Sequence, residues 1–423
     1  MHDYVWTATQ ALGELFGRDS SGVAVRLWDG TELDTGAGAP FRLLVNEPGA
    51  LRAAFRPPVD LNAGRAFAAG LLDIEGDVEA AVDALMQRMR ATGAMQMMRL
   101  ALLLRKLPKP PLPALREAHL RGKRHSIARD REAIGFHYDQ PVAFYRAFLD
   151  PLMVYSCAYY DDGVTELADA QVAKLDYTLR KLRLRPGERL LDIGCGWGAL
   201  VVRAAQTFGA KVTGVTLSRK QFEEARRRIA EAGLQDRAAV ELRDYRELDK
   251  SSFEKIVSVG MFEHVGRKSM AEYFRTAFDL LLPGGLFLNH AIAHEGEGDG
   301  KATGFMDAFI FPDGELMRIS EALGGAETAG FEVRDVENLR EHYHRTLRAW
   351  VANLERNRDT AIAAADEQSY RAWRLYMAGS AQGFRSGRMG LYQSLLAKPA
   401  GGGRVDIPAT RRDLYTSRSG RAD

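Results

Sequence analysis

Between residues 168 and 290 the apolar positions alternate between short continuous runs and helical spacing, a rhythm that predicts parallel strands joined by helices. Residues 168–182 read as a leading helix, 189–193 as the first strand and 199–208 as its helix. Residues 211–216 form the second strand, 221–232 a charged amphipathic helix, 240–243 the third strand and 255–259 the fourth, and 283–289 is a turn feeding the fifth. Helical patterns over 314–329, 346–356 and 370–384 exceed what a sheet needs for cover and are expected to roof a pocket. Upstream, strand-like runs at 23–28 and 41–45 mix with helical patterns at 48–55 and 78–89, which predicts a small α+β unit. Four prolines within 106–113 forbid a continuous helix and favour extended backbone. The expected layout is therefore an N-terminal α+β domain at 1–107, a linker at 108–130, an α/β domain with a doubly wound parallel sheet and helical lid at 131–400, and a basic, loosely ordered tail at 401–423.

Composition adds little until charge is followed along the chain. The 423 residues are 46% hydrophobic and 27% charged, with a net charge of +2 and two cysteines, Cys157 and Cys195. Few cysteines, no leader pattern and no long apolar span point to a reduced, cytoplasmic protein that does not cross a membrane. From Arg99 to Arg131, however, ten basic residues face two acidic ones, just after the apolar helical segment 95–104. That pairing suits an anionic lipid surface, and a peripheral place on the inner face of the membrane. Nucleic acid ranks lower because the stretch has no aromatic residues to stack on bases. A solvated linker remains the plain alternative.

The candidate chemistry begins at Asp192-Ile-Gly194-Cys-Gly196-Trp-Gly198, where the first strand runs into a glycine-rich turn that opens a helix. A turn of this kind at a strand's carboxyl end brings backbone close to a nucleotide-like ligand. The spacing is G-x-G-x-G and not the G-x-G-x-x-G of dinucleotide sites, so S-adenosylmethionine is favoured over NAD, and Asp192 agrees with a class I methyltransferase, which carries an acidic residue there. The second strand ends in Thr216-Leu217-Ser218 where a ribose-binding acid is usual, and Gln221 offers an amide instead. After the third strand, Asp244-Tyr245-Arg246 supplies a carboxylate for the adenine amino group and a ring to cover the base.

Tyr155-Ser156-Cys157-Ala-Tyr159, Phe262-Glu263-His264, Asn289-His290-Ala-Ile292 and His342-Tyr343-His344 place carboxylate, imidazole and phenol at sheet edges or loops. Singly, each is more often structural. In this order around the glycine turn they resemble the cyclopropane fatty acid synthase family, which includes the mycolic acid cyclopropane synthases. The resemblance runs from Phe136-His-Tyr-Asp139 to Gln393 and takes in Ala66-Phe-Ala-Ala-Gly-Leu-Leu-Asp-Ile-Glu-Gly-Asp77. It implies a Rossmann-like class I methyltransferase that uses S-adenosylmethionine to build a cyclopropane ring on a cis double bond of a phospholipid acyl chain, with bicarbonate as the base. Carried over by position, Tyr155, Ser156, Gly194, Gly196, Thr216, Leu217 and Gln221 would contact the cofactor. Glu263, His290 and Tyr343 would hold bicarbonate through side chains, and Cys157 and Ile292 through backbone groups. Tyr159, Phe309, Tyr376 and Phe384 would steady a cation against their rings. The mycolic branch has Trp-Glu where this chain has Tyr245-Arg246, so Asp244 is left as the acid at the base.

Other readings stay open on the sequence. The same site could yield a methyl- or methylene-branched chain, and a lipid-binding protein with a vestigial cofactor pocket is the non-enzyme reading. Cys157 as a nucleophile lacks a local positive cluster. Zinc at His290 and His294, or at His342 and His344, lacks cysteine partners, so no metal is expected. The oligomeric state is open, a homodimer included.

Overall fold

The computed structural model describes residues 2–16, 23–33, 38–110, 112–138, 140–250, 253–296, 300–301 and 304–415. Asp139 and the end of the tail, 416–423, lie outside them. The chain divides into two compact units. One comprises 1–119, 302–312 and 347–386, the other 120–301, 313–346 and 387–423. The units are interleaved in sequence, unlike the consecutive blocks expected.

The first unit carries the sheet β2-β1-β3-β4, built from β1 (Ala24–Arg26), β2 (Glu32–Leu33), β3 (Phe41–Val45) and β4 (Leu72–Gly76). β1 runs parallel to β3, and β4 is antiparallel to β3 with Phe41 opposite Gly76. Helix Glu367–Arg385, expected over the α/β sheet, packs on helices Val59–Ala68 and Val78–Ala91 of this unit. The reason is its buried stripe of Tyr370, Trp373, Met377, Ala381 and Phe384, each worth ~1.5–3 kcal/mol for the large side chains once out of water. Ion pairs from Arg371 to Asp73 (2.8 Å) and from Arg385 to Glu79 (2.7 Å) fix its register.

The second unit holds a seven-stranded sheet of order β10-β11-β9-β8-β5-β6-β7. Its strands are β5 (Arg189–Ile193), β6 (Lys211–Thr216), β7 (Ala238–Leu242), β8 (Phe253–Val259), β9 (Leu281–His294), β10 (Glu332–Asn338) and β11 (Met389–Ala397). β5 to β9 are parallel, as the alternation predicts, but β11 is antiparallel to both β9 and β10, so the sheet is mixed. Both faces are covered. Leu190, Val212, Val240, Val257 and Leu288 meet Ala204, Ala225 and Ile229 on one side, and Leu191, Ile193, Val215, Ile256 and Phe287 meet Tyr273, Phe274 and Ala277 on the other. Period-2 alternation between two apolar layers is what a parallel sheet buried on both faces requires. The tail departs from expectation up to Tyr415. Val405 and Ile407 pack on the core, Leu414 is buried, and the Arg180 guanidinium donates to the Leu414 carbonyl (3.0 Å).

Candidate functional site

One pocket opens at the carboxyl ends of β5, β6 and β7, all within the second unit, because parallel strands deliver their following loops to one edge. Eleven of the twelve residues expected around a cofactor line it: Tyr155, Ser156, Asp192, Gly194, Gly196, Thr216, Leu217, Gln221, Asp244, Tyr245 and Arg246. Gly198 does not. The glycine turn leaves β5 with the Gly194 and Cys195 amides both donating to the Val215 carbonyl at 3.0 Å. Gly196 (φ +52) has open space where a Cβ would stand, whereas a Cβ on Gly198 (φ +84) would sit 2.8 Å from the Ala225 Cβ. The two glycines therefore answer different needs: Gly196 keeps the pocket open, and Gly198 lets helix Ala199–Phe208 start against helix Arg219–Glu231.

Polar groups at the β6 and β7 ends are already paired to each other. The Thr216 hydroxyl donates to Gln221 Oε1 (2.8 Å) and accepts from the Ser218 amide (3.1 Å). Arg246 grips Asp244 through Nε (2.8 Å) and Nη2 (2.7 Å) and reaches Asp130 at 3.1 Å. The Asp244 carboxylate, expected to meet adenine unaided, is thus neutralised by the next-but-one side chain. Asp130, Ile134 and Tyr138, from helix Ile127–Tyr138, form a wall that the sequence had given no role.

At β5 the balance differs. Asp192 is buried, and desolvation pushes its carboxyl up to about 7 against the pull of Lys174. Lys174, on helix Leu167–Lys181, lines the same pocket with its ammonium 2.9 Å from Ser156 Oγ. Desolvation lowers it to about 8, opposed by Cys157, Asp150 and Asp192.

Beside this wall the turn Phe262–His264 follows β8 and sets Glu263 against β9. Glu263 Oε1 accepts the Ile292 amide (2.7 Å), while Oε2 is buried with no partner. Burial pushes this carboxyl up to about 7. The Gly260 amide donates to the His290 carbonyl (2.9 Å), tying β9 to the pocket rim. His290 Nδ1 lies 3.1 Å from Gln393 Nε2, its Nε2 is buried without a partner, and desolvation holds its pKa well below the ordinary imidazole range. The ring is neutral at pH 7. Tyr343 stands on helix Arg340–Arg356, where its amide bonds the Leu339 carbonyl, and Leu339 in turn donates to Leu391, the register partner of Ile292. Cys157 Sγ is 3.9 Å from the same Leu339 carbonyl.

The geometry bears on several expectations. Of the backbone groups of Ile292, the amide is committed to Glu263. Burial raises the Cys157 thiol far above the usual range, which leaves no thiolate for attack. Tyr159 lies between Tyr177 and His342 (centroids 4.4 and 4.7 Å), in the second unit, whereas Phe309, Tyr376 and Phe384 belong to the first, so neither unit gathers the four rings. Among the described residues no group of three His, Cys, Asp or Glu is placed for a metal ion, and no helix is long and apolar enough to cross a membrane.

The family profile described as mycolic acid cyclopropane synthetase matches residues 125–394. The chain belongs to that family. It is similar to a probable fatty acid methyltransferase of Pseudomonas putida, 40% identical over 92% of this chain and 95% of the relative. Among solved structures it is similar to the cyclopropane synthase MmaA2 of Mycobacterium tuberculosis, with a TM-score of 0.61 and 34% identity over 63% of this chain and 98% of the other. The mycolic acid cyclopropane synthase CmaA1, solved with SAH and CTAB, gives a TM-score of 0.60 with the same identity and coverage. This cyclopropane synthetase-family chain is thus an S-adenosylmethionine-dependent enzyme of class I methyltransferase fold, in a group that modifies lipid acyl chains.

Lys174, Gln171, Asp130 and Gln393 are the site residues of this family member that sequence reasoning missed. Gln171 is fully buried and donates to the Ser156 carbonyl (2.9 Å), so helix Leu167–Lys181 pins the loop that carries Tyr155 and Ser156. A signal existed: Gln171, Lys174, Thr178 and Lys181 recur at helical spacing among the apolar positions, putting polar groups on a face that must turn inward.

Proposed function

We propose that the chain transfers the methyl carbon of S-adenosylmethionine to a cis double bond in an acyl chain of a membrane phospholipid and closes a cyclopropane ring, with bicarbonate as the base. The observation that carries the reading is a pair of buried, partnerless polar atoms of opposite character on the β8 turn and β9: Glu263 Oε2, and His290 Nε2, which carries the ring proton because Nδ1 accepts from the Gln393 amide. An unsatisfied buried polar atom costs ~1–3 kcal/mol, so one such atom is a defect and two at the reaction end suit a small ligand that bonds to both. Bicarbonate fits: an oxygen of the anion can accept from His290 Nε2–H, its hydroxyl can donate to Glu263 Oε2, and it supplies a mild base for the proton released as the ring closes. Tyr155, Ser156, Asp192, Gly194, Gly196, Thr216, Leu217, Gln221, Asp244, Tyr245 and Arg246 hold the cofactor. Glu263 fixes the β9 backbone at Ile292, His290 stays neutral and hydrogen-bonded through Gln393, and the apolar surroundings exclude water from a carbocation-like centre.

Access to phospholipid is the second part of the proposal. Helix Ala94–Lys106 buries Leu100 and Leu104 in the first unit but leaves Met95 (66%), Met98 (60%) and Leu102 (54%) exposed as a stripe, beside exposed Arg99, Arg105 and Lys106. An apolar stripe flanked by cations complements an anionic bilayer. This narrows the basic run, since Arg124 and Arg129 are engaged by Asp313 (3.2 and 2.5 Å). The name of the Pseudomonas relative favours one alternative product, a methyl-branched chain. The test is incubation with labelled S-adenosylmethionine and vesicles of mixed unsaturated phospholipids, followed by mass spectrometry of the released acids. A labelled saturated ring is expected; a labelled branched or methylene product, or no lipid product, overturns the cyclopropane assignment. Reversal of Arg99, Arg105 and Lys106 to Glu should reduce vesicle sedimentation at low salt and leave cofactor affinity intact; undiminished sedimentation would place docking elsewhere.

A further inference from the structure

The ammonium of Lys174 is an unspent charge. It is 2% exposed, lines the cofactor pocket and has one hydrogen bond, to Ser156 Oγ (2.9 Å); among the described residues no carboxylate stands within ion-pair distance. Asp150 is occupied, since its carboxylate accepts the Leu152 (2.8 Å) and Val154 (2.9 Å) amides. Asp192 lines the same pocket, is equally buried, and makes no ion pair either. A buried cation and a buried anion thus share one pocket wall without touching. Charges taken out of water are costly unless paired and hydrogen-bonded, and a ligand carrying both signs on one carbon satisfies the two together. The amino-acid end of S-adenosylmethionine is such a group, and Gly196, lining the same pocket, has open space where a Cβ would stand.

We propose that Lys174 receives the α-carboxylate of the cofactor, with Ser156 Oγ steadying the ammonium and Asp192 facing the cofactor's α-ammonium. The assignment rests on S-adenosylmethionine as the cofactor of this pocket. It makes Lys174 a binding residue for the amino-acid end alone, with no part in holding adenosine, where Thr216, Gln221 and the Asp244–Arg246 pair already stand. Burial supports the direction: the ammonium, lowered to about 8 in the free pocket, regains its ordinary range when a carboxylate arrives.

Calorimetry with S-adenosylhomocysteine and 5′-methylthioadenosine tests this on the full chain, because the second ligand keeps the nucleoside and lacks the amino-acid end. Lys174→Met should weaken S-adenosylhomocysteine by about 10- to 100-fold, the usual worth of a hydrogen bond to a charged group, and leave 5′-methylthioadenosine unchanged; Lys174→Arg should recover part of the loss. Equal weakening of both ligands would make Lys174 a prop for the 154–156 loop and overturn the proposal, as would no weakening of either. The ligand side gives a check that does not depend on a variant folding: the α-carboxamide of S-adenosylhomocysteine should bind the parent less tightly by a similar factor, and undiminished affinity overturns the assignment. A parent that binds neither nucleoside would instead remove the cofactor reading itself, which keeps the two failures apart.

Discussion

The two ends of the second unit's site are wired in opposite ways. At the adenosine end the polar side chains satisfy one another before any ligand arrives: Thr216 with Gln221, Asp244 with Arg246 and Asp130. At the proposed reaction end Glu263 Oε2 and His290 Nε2 are buried and unpaired, and burial has moved both groups toward their neutral forms. A wall of internally paired groups keeps its shape and loses little when one member is cut. A wall of unpaired groups is destabilised by design and gains most from its ligand, so that is where single substitutions should separate stability from activity.

Glu263 gives the largest expected effect and the sharpest break of the comparison. Glu263→Ala should lower turnover by at least ~100-fold, the scale of removing one positioned polar group from a preorganised site, while S-adenosylhomocysteine affinity stays within about twofold. Glu263→Gln refines it through pH. The folded carboxyl titrates near 7 and the unfolded one near 4.5, so the folded state holds the extra proton between these values. Its favourable contribution is fully present below about 4.5 and is lost as pH rises through about 7. The neutral amide cannot ionise, so the Gln variant should be less active yet melt at a higher temperature than the parent at pH 8, with the gap closing at pH 5. Equal melting temperatures at both pH values would show that Glu263 already has a partner.

The glycine turn offers a finer contrast. Gly198→Ala puts a Cβ 2.8 Å from Ala225 at φ +84 and should cost ~1–3 kcal/mol of stability, read by urea unfolding, with a modest effect on affinity in the folded fraction. The Cβ of Gly196→Val meets no protein atom but stands in the pocket, so the variant should abolish cofactor binding in the folded fraction, with a stability cost that comes from backbone strain at φ +52 and not from a clash. If both variants lose stability alike and neither loses ligand, the pocket assignment at β5 is wrong.

This contrast also shows what the sequence could tell. β5, helix Ala199–Phe208 and β6 fall on the expected residues because apolar runs, glycine punctuation and helical spacing are local signals. β10 and β11 were not legible. β10 reads Glu-Val-Arg-Asp-Val-Glu-Asn, too charged for a buried run, and β11 carries buried Gln393 and Ser394 among its apolar positions. The interleaving of the two units is set by which helix faces meet in space, a long-range property that periodicity does not encode. The candidate site divides in the same way. Its strand-end residues could be read from motif positions, whereas the state of each was not: that Arg246 joins Asp244 to Asp130, that the Ile292 amide is spent on Glu263, and that Lys174 lines the cofactor pocket all depend on neighbours remote in sequence.

The smallest effect belongs to the adenosine end, and its smallness is the point. Arg246 bridges Asp244, at the end of β7, and Asp130, on the helix that walls the pocket, at 2.7 and 3.1 Å. Arg246→Gln frees the Asp244 carboxylate, which then becomes available to the adenine amino group, while the wall helix loses one tether and keeps the Arg129–Asp313 pair on the same helix. The two consequences oppose each other. The lost Asp130 tether is a partly exposed ion pair worth ~0.2–1 kcal/mol, and the buried Asp244 carboxylate regains a partner when adenine binds, so the net change in S-adenosylhomocysteine affinity should stay within about fivefold, with turnover at saturating cofactor unchanged. A loss of affinity as large as that expected for Lys174→Met would mean that Arg246 contacts the cofactor directly, and the adenosine wall would then have to be counted among the unpaired, ligand-dependent surfaces of the site.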